Sequence, residues 1–202
     1  MVLPTPRQSE ILDLAQYMIQ TRGYNGFSFG DLAKKIGVKP AAIHYHFPTK
    51  GDLGLKLMAR YRQRLHASLA RIDEQVQSPR RKLERYVLLF HATLKPDNRM
   101  CLCGMLATEM AILPEPLAEE VKKFFEDNES WLARVLGEGR RARSIDFEGS
   151  PTAASRFMYA SLQGAMISSR VFGDAGRLSL SGRWLLDALI TPMMDALLMP
   201  PQ

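Results

Sequence analysis

Apolar residues return along most of this chain at intervals of three and four, the period of an amphipathic helix, and nowhere keep the strict alternation of a half-buried strand. The first run is Ile11, Leu12, Ala15, Met18 and Ile19; Thr5-Pro6-Arg7-Gln8 opens it with a cap and a proline in the first helical position, and Gly23 closes it. Leu32, Ala33 and Ile36 form a second run between Ser28 and Gly37, and a third, very short, covers residues 40–47 before Pro48 forbids its continuation. Thr49, with Asp52 three residues on, opens a longer helix through Leu53, Leu57, Met58, Tyr61, Leu65, Leu69 and Ile72. Ser78-Pro79 starts another, burying Leu83, Tyr86, Val87, Phe90 and Leu94.

After a short apolar segment over residues 100–113, Pro114 and Pro116 start a long helix with the stripe Leu117, Val121, Phe124, Asn128, Leu132 and Val135. Gly137 and Gly139 are expected to end it and to leave residues 140–149 as a polar loop. Ser150-Pro151 opens the next helix. A last one, from about residue 179, carries Leu185, Leu186, Leu189, Ile190, Met193, Met194, Leu197 and Leu198, with a kink expected at Pro192. The pattern predicts an all-α chain.

Residues 28–50 hold the chemistry. Ser28 can accept from the free amides of its helix, with Asp31 in capping-box register, and Gly37-Val38-Lys39 turns into Pro40 at the first position of the next helix. A helix-turn-helix lays its second helix in the major groove of DNA and its first across the backbone. Ala41 and Ala42 are small enough to let a helix approach the groove floor, where an alanine methyl meets a thymine methyl. Tyr45, His46, Thr49 and Lys50 can donate to phosphates. The same pattern also suits an ordinary helical hairpin with its polar side chains in solvent.

The run Ser-Phe-x-Asp-Leu-Ala-x-x-Ile-Gly-Val, followed by Ile-His-Tyr-His-Phe-Pro-Thr-Lys-x-Asp-Leu, resembles the DNA-binding domain of the TetR family of transcriptional regulators over residues 11–57. Carried over by position, the resemblance implies base contacts around Lys39, Ala41 and Ala42 and mainly phosphate contacts from His44, Tyr45, His46 and Lys50; Ser28 and Thr49, at the two helix starts, are added to the DNA-binding set from their own chemistry. Members often have Ser where this chain has Lys39 and Tyr where it has His44, so the operator sequence is expected to differ from familiar ones. The implied organisation is an N-terminal three-helix DNA-binding domain over residues 1–50, a connecting helix over 51–75 and a larger helical domain for ligand binding and dimerisation over 76–202.

Charge sharpens this picture. Residues 1–66 hold ten Lys and Arg and four Asp and Glu, an excess of 10 − 4 = +6, while the remaining 17 bases and 17 acids cancel. Basic residues gathered in one domain are the electrostatic footprint of a polyanionic partner. The chain is 46% hydrophobic, ample for a packed core. It has no apolar run of about 18 residues and no basic N-terminal segment leading into an apolar stretch, so no membrane span and no signal peptide are expected. Two cysteines cannot form a disulfide framework, which agrees with a reducing, cytoplasmic location.

For the larger domain, Phe90, Met105, Met110, Phe124, Trp131, Phe157, Met158, Met166 and Trp184 are candidate walls of an effector pocket, although core packing accounts for the same residue types. Cys101 and Cys103 are either small buried hydrophobes or sensor thiols, activated by a helix N-terminus and Arg99. With His91 they supply three metal ligands where structural zinc needs four, so neither metal nor cofactor is expected. Small residues at Ala160, Gly164 and Ser168, with Leu186, Ile190 and Met194 on the last helix, suggest a homodimer interface; packing within one chain is the alternative. The expectation is a dimeric regulator, a repressor by family habit, that binds a palindromic operator on double-stranded DNA and is released by a small-molecule or thiol-reactive effector. No catalytic motif is present. A helical adaptor that does not bind DNA, or an enzyme using the C-terminal cavity, are the rival readings.

Overall fold

The threonine at position 5 shows how local sequence starts the fold. Its hydroxyl accepts the Gln8 amide while the Gln8 side chain accepts the Thr5 amide, so two of the free donors at the start of α1 (Pro6–Arg22) are satisfied. The structure, a computed structural model, describes residues 5–95 and 97–190. After α1 come α2 (Phe29–Ile36), α3 (Pro40–His46), α4 (Lys50–Gln75), α5 (Pro79–Leu94), α6 (Leu102–Ala107), a 3₁₀ turn over Met110–Ile112, α7 (Glu115–Arg141), α8 (Pro151–Phe172) and α9 (Gly176–Ile190). No strand occurs among the described residues, in agreement with the all-α expectation.

Two compact units divide the described residues: those up to 66 with Arg99–Phe125, and Ala67–Asn98 with those from Glu126 on. In the first, α1 packs on α2 and α6. Ile11, Leu12, Ala15, Met18 and Ile19 are buried together with Leu32, Ala33, Ile43, Phe47, Leu53 and Leu57. The amide of Gln20, the buried polar residue of α1, donates through Nε2 to the Met100 carbonyl at 2.8 Å.

In the second unit α8 packs along α9, and α5 on both. Tyr86 stacks on Trp131 with ring centroids 5.4 Å apart, and its hydroxyl donates to Asn128 Oδ1 at 2.7 Å, which satisfies the one polar member of the α7 stripe. Asp73 ties three helices together. It accepts from Lys82 Nζ at 2.7 Å, from the Trp131 indole at 2.9 Å and from the Arg134 guanidinium.

Three expected boundaries move. The long helix does not stop at Gly137 and Gly139 but runs to Arg141, because Gly139 serves as a packing gap: a Cβ there would come within 3.0 Å of the Ile145 Cβ. Residues 100–113 form α6 and a 3₁₀ turn rather than one continuous segment, and α9 begins at Gly176, before residue 179. Of the apolar residues expected in the last helix, Met193, Met194, Leu197 and Leu198 lie outside the described residues, as do Pro192 and the side chains of Leu189 and Ile190. No helix among the described residues is long and apolar enough to cross a membrane.

Candidate nucleic-acid interface

Local chemistry at residues 28–52 accounts for the shape of the helix-turn-helix. Ser28 Oγ accepts the Asp31 amide at 3.2 Å, and the Asp31 carboxylate accepts both the Ser28 amide and its hydroxyl at 2.7 Å. These bonds from Ser28 hold the Asp31 carboxyl below its ordinary pKa. Gly37 ends α2 at φ 78°, a left-handed conformation that a side chain would strain, and Pro40 supplies the first turn of α3. Buried Ile43 and Phe47 then fix the roll of α3, so the rest of its surface faces out.

Lys39, Ala41, His44 and Tyr45 are exposed on that surface, Tyr45 at 85%, and Ala42 and His46 are half-buried beside them. The Tyr45 and His46 rings meet edge to face at 5.2 Å. An aromatic side chain this exposed on a helix of two turns contributes nothing to the core; it is available to a partner. His44 is restrained, with its ring edge-on to Phe29 at 4.8 Å and Nδ1 3.3 Å from the Pro48 carbonyl.

Thr49 and Lys50 are engaged inside the chain. Thr49 Oγ accepts the Asp52 amide at 3.1 Å and donates to the Asp52 carboxylate at 2.7 Å, which completes the cap of α4. Lys50 turns inward, contrary to its expected place on the outer face. Its amine donates to the Phe27 carbonyl at 2.5 Å and lies over the Tyr24 and Phe27 rings at 4.8 and 4.2 Å. Burial lowers its pKa, against the opposing charges of Glu109 and Asp31.

Glu109, in the link between α6 and α7, has no signal in the sequence. Its carboxylate accepts the Tyr24 amide at 2.6 Å, the Asn25 amide at 3.2 Å and the Asn25 side chain at 2.9 Å. Gly23, at φ 92°, makes this approach possible, since a Cβ there would lie 2.7 Å from Glu109 Oε1. The turn entering the helix-turn-helix is therefore held by a side chain 85 positions further along the chain.

The candidate effector residues are divided between the two units. Met105, Met110 and Phe124 fall in the first unit, while Phe90, Trp131, Phe157, Met158 and Met166 fall in the second. Met158 and Met166 are fully buried, Trp131 is occupied by Tyr86 and Asp73, and Phe124 stacks on Tyr61 at 5.3 Å. Phe157 on α8 and Trp184 on α9 are 59% and 70% exposed in the single chain.

Cys101 and Cys103 are buried, and the activation expected of a helix N-terminus is absent at Cys103. Burial first, then a hydrogen bond with Cys101, raises its pKa well above that of a free thiol, and its S–H donates to Met58 Sδ at 3.6 Å. Cys103 is therefore expected to react with iodoacetamide at pH 8 at least ~100-fold more slowly in the native protein than in guanidinium, because thiolate fraction and access both fall. Mass spectrometry of timed quenches checks this; equal rates would mean that the site opens freely.

Comparison with known proteins gives the same assignment over most of the chain. Residues 11–56 match the family model described as bacterial regulatory proteins, tetR family, and residues 79–183 match that of the tetracyclin repressor-like C-terminal domain. The chain is 24% identical over 195 residues to the HTH-type transcriptional repressor DhaR of Mycobacterium sp. (strain GP1), covering 96% of this chain and 93% of DhaR. Its structure resembles that of a TetR-family transcriptional regulator from Agrobacterium tumefaciens, with a TM-score of 0.88 at 32% identity over 92% of this chain and 98% of that one. A TetR transcriptional regulator from Legionella pneumophila is similar to it with a TM-score of 0.83 at 30% identity, over 94% and 100% of the two chains.

Proposed function

Because this chain belongs to the tetR family and is a DNA-binding transcriptional regulator, we propose that it acts as a homodimeric repressor that grips a palindromic operator and lets go when a small-molecule effector binds. The observation that carries this reading is the outward face of α3, where Lys39, Ala41, Ala42, Tyr45 and His46 stand clear of the core on a segment with a surplus of six positive charges. Residues 1–50 are the DNA-binding domain, 51–75 the connecting helix and 76–202 the effector and dimerisation domain in this reading, and the cytoplasm is its location. Similarity to the repressor DhaR supports the negative sign of control.

Lys39, Ala41 and Ala42 read bases; His44, Tyr45 and His46 position the helix on the backbone, with the α2 and α4 caps at Ser28 and Thr49 close to phosphate. Lys50 acts differently, as a brace under the turn at Phe27. Two heads held one DNA turn apart fit successive major grooves, and an effector that favours another arrangement releases the operator through differential affinity alone. The Glu109 clasp offers a route, since any shift in the link between α6 and α7 is felt at the Tyr24 and Asn25 amides.

Titration of the purified protein against DNA from upstream of its own gene, with random-sequence competitor and a salt series, tests the reading. Competitor-resistant binding is expected. Lys39→Ala should relax preference at one base step by about 1–3 kcal/mol of discrimination. Lys50→Met should weaken binding to all sequences while leaving the slope of log K on log salt unchanged; a slope smaller by about 0.9 would place its amine on a phosphate instead. Binding to no DNA at any salt would sink the regulator reading.

A further inference from the structure

The C-terminal end of α4 and the N-terminal half of α5 enclose a groove that plays no part in the reading above. One cavity of about 720 Å³ is lined by Gln75, Val76, Gln77, Ser78, Arg81, Glu84, Arg85 and Leu88. A second, of about 290 Å³, shares Gln75, Val76, Arg85 and Leu88 with it and adds Arg71, Ile72 and Leu89. The shared walls make the two one continuous depression with a polar mouth and an apolar floor.

Its charges are unbalanced. Other cations on the first turns of α5 have acidic partners: Arg80 pairs with Glu84 at 3.4 Å, and Lys82 with Asp73 at 2.7 Å. Arg71, Arg81 and Arg85, the three that line the groove, have no acidic partner among the described residues. The single carboxylate in the lining, Glu84, is already engaged by Arg80. Like charges gathered around a concavity repel one another and concentrate an anion there, and guanidinium forks are suited to a carboxylate held by two parallel bonds. Next to them, Leu88 is half exposed although it lines the depression together with Ile72, Val76 and Leu89. An apolar side chain left open beside unpaired guanidiniums calls for a ligand with both characters.

We propose that this groove binds a small amphipathic carboxylate, an acyl chain of medium length whose head group is held by Arg81 and Arg85 and whose tail lies on Ile72, Val76 and Leu88. Arg71 closes the far end. The site is separate from the helix-turn-helix, and its occupancy is read without DNA.

The test is isothermal titration calorimetry of the full chain with decanoate, with decanol and inorganic phosphate as the two half-ligands. Decanoate is expected to bind at one site per chain, at least ~10-fold more tightly than either half-ligand, because each lacks one of the two contacts. Arg81→Gln/Arg85→Gln should weaken decanoate at least ~10-fold, and Leu88→Ser should weaken it while leaving phosphate unchanged. Both variants alter exposed side chains, and unchanged melting curves would confirm that they fold. Decanoate binding that survives the double arginine change places the ligand elsewhere and overturns the proposal. So does phosphate binding as tightly as decanoate, which would leave the floor without a role, or no decanoate heat at millimolar concentration.

Discussion

Replacing Ile167 and Val171 together by aspartate is expected to give a folded monomer that no longer holds an operator. Phe157, Ala160, Gly164, Ile167 and Val171 recur at steps of three and four along α8 and so share one face. Phe157, Ile167 and Val171 are 59%, 51% and 72% exposed in the single chain, and Leu180 and Trp184, one turn apart on α9, are 55% and 70% exposed. An apolar stripe of this extent across two packed helices needs a partner surface, and the small residues at Ala160 and Gly164 leave room for one; a Cβ at Gly164 would meet nothing within 4 Å. The expected assembly is a four-helix bundle of α8 and α9 from two subunits, with Ser168 and Leu186 at its edge. The expected contributions of Ile190 and Met194 concern positions beyond the described side chains.

Four carboxylates placed on this two-fold surface would each lose several kcal/mol on burial, more than a typical interface can offset. The fold of one chain should survive, because neither residue belongs to its core. Light scattering should report the monomer mass at micromolar protein, operator affinity should fall at least ~100-fold, and the slope of log K on log salt should fall by about half as one head's phosphate contacts are lost. A variant that stays dimeric would place the interface elsewhere.

The largest loss of stability is expected from Asp73→Ala. Lys82 is 8% exposed, and its amine has Asp73 at 2.7 Å and Glu138 only at 3.9 Å. Without Asp73 the Trp131 indole N–H also loses its acceptor. Leaving one buried ammonium largely unpaired and one indole donor unsatisfied destabilises by about 3 kcal/mol, a fall in Tm of about 6–12 °C for a chain of this size. Asp73→Asn keeps an acceptor and should lose roughly half as much.

The pH dependence follows from the direction of the Asp73 shift. Burial raises its pKa, but the bonds from Lys82 and Trp131 and the charge of Arg134 outweigh burial and hold it below the ordinary carboxylate value. Its contribution is therefore complete above the unfolded-state pKa and is lost as pH falls through the lower, folded-state one. The gap in Tm between the native chain and Asp73→Asn should close over that acidic window. Equal melting temperatures of the two at neutral pH would show that the charge on Asp73 contributes nothing.

How much of this was legible in the residues depends on how far apart the interacting partners lie. The boxes at Thr5 and Ser28, the stop at Gly37 and the start at Pro40 each involve groups within a few positions, so the helix-turn-helix was readable almost to the residue, and its charge could be counted. Helical period likewise identified which side of each helix is apolar. It could not identify what covers that side. Phe157 and Trp184, candidate pocket walls by residue type, are exposed in the single chain, whereas Met158 and Met166 vanish into the core, because periodicity reports amphipathicity and is silent on whether the cover is the same chain, a second chain or a ligand.

Long-range pairs were invisible for the same reason. Glu109 on Tyr24 and Asn25 and Asp73 on Trp131 join positions whose chemistry says nothing of one another until the helices are packed. Gly139 looked like a helix stop because glycine often is one; the close approach of Ile145 reveals the other use of a missing side chain. Lys50 looked like a phosphate ligand because a lysine at a helix start ordinarily reaches solvent, but the Phe27 carbonyl and two aromatic faces hold its amine inward. Caps, periods and charge, which act within one or two helical turns, were determined by the sequence alone; the partners of Glu109, Asp73, Lys50 and the cysteines were decided only by the tertiary structure, since burial and electrostatic pairing belong to neighbours in space.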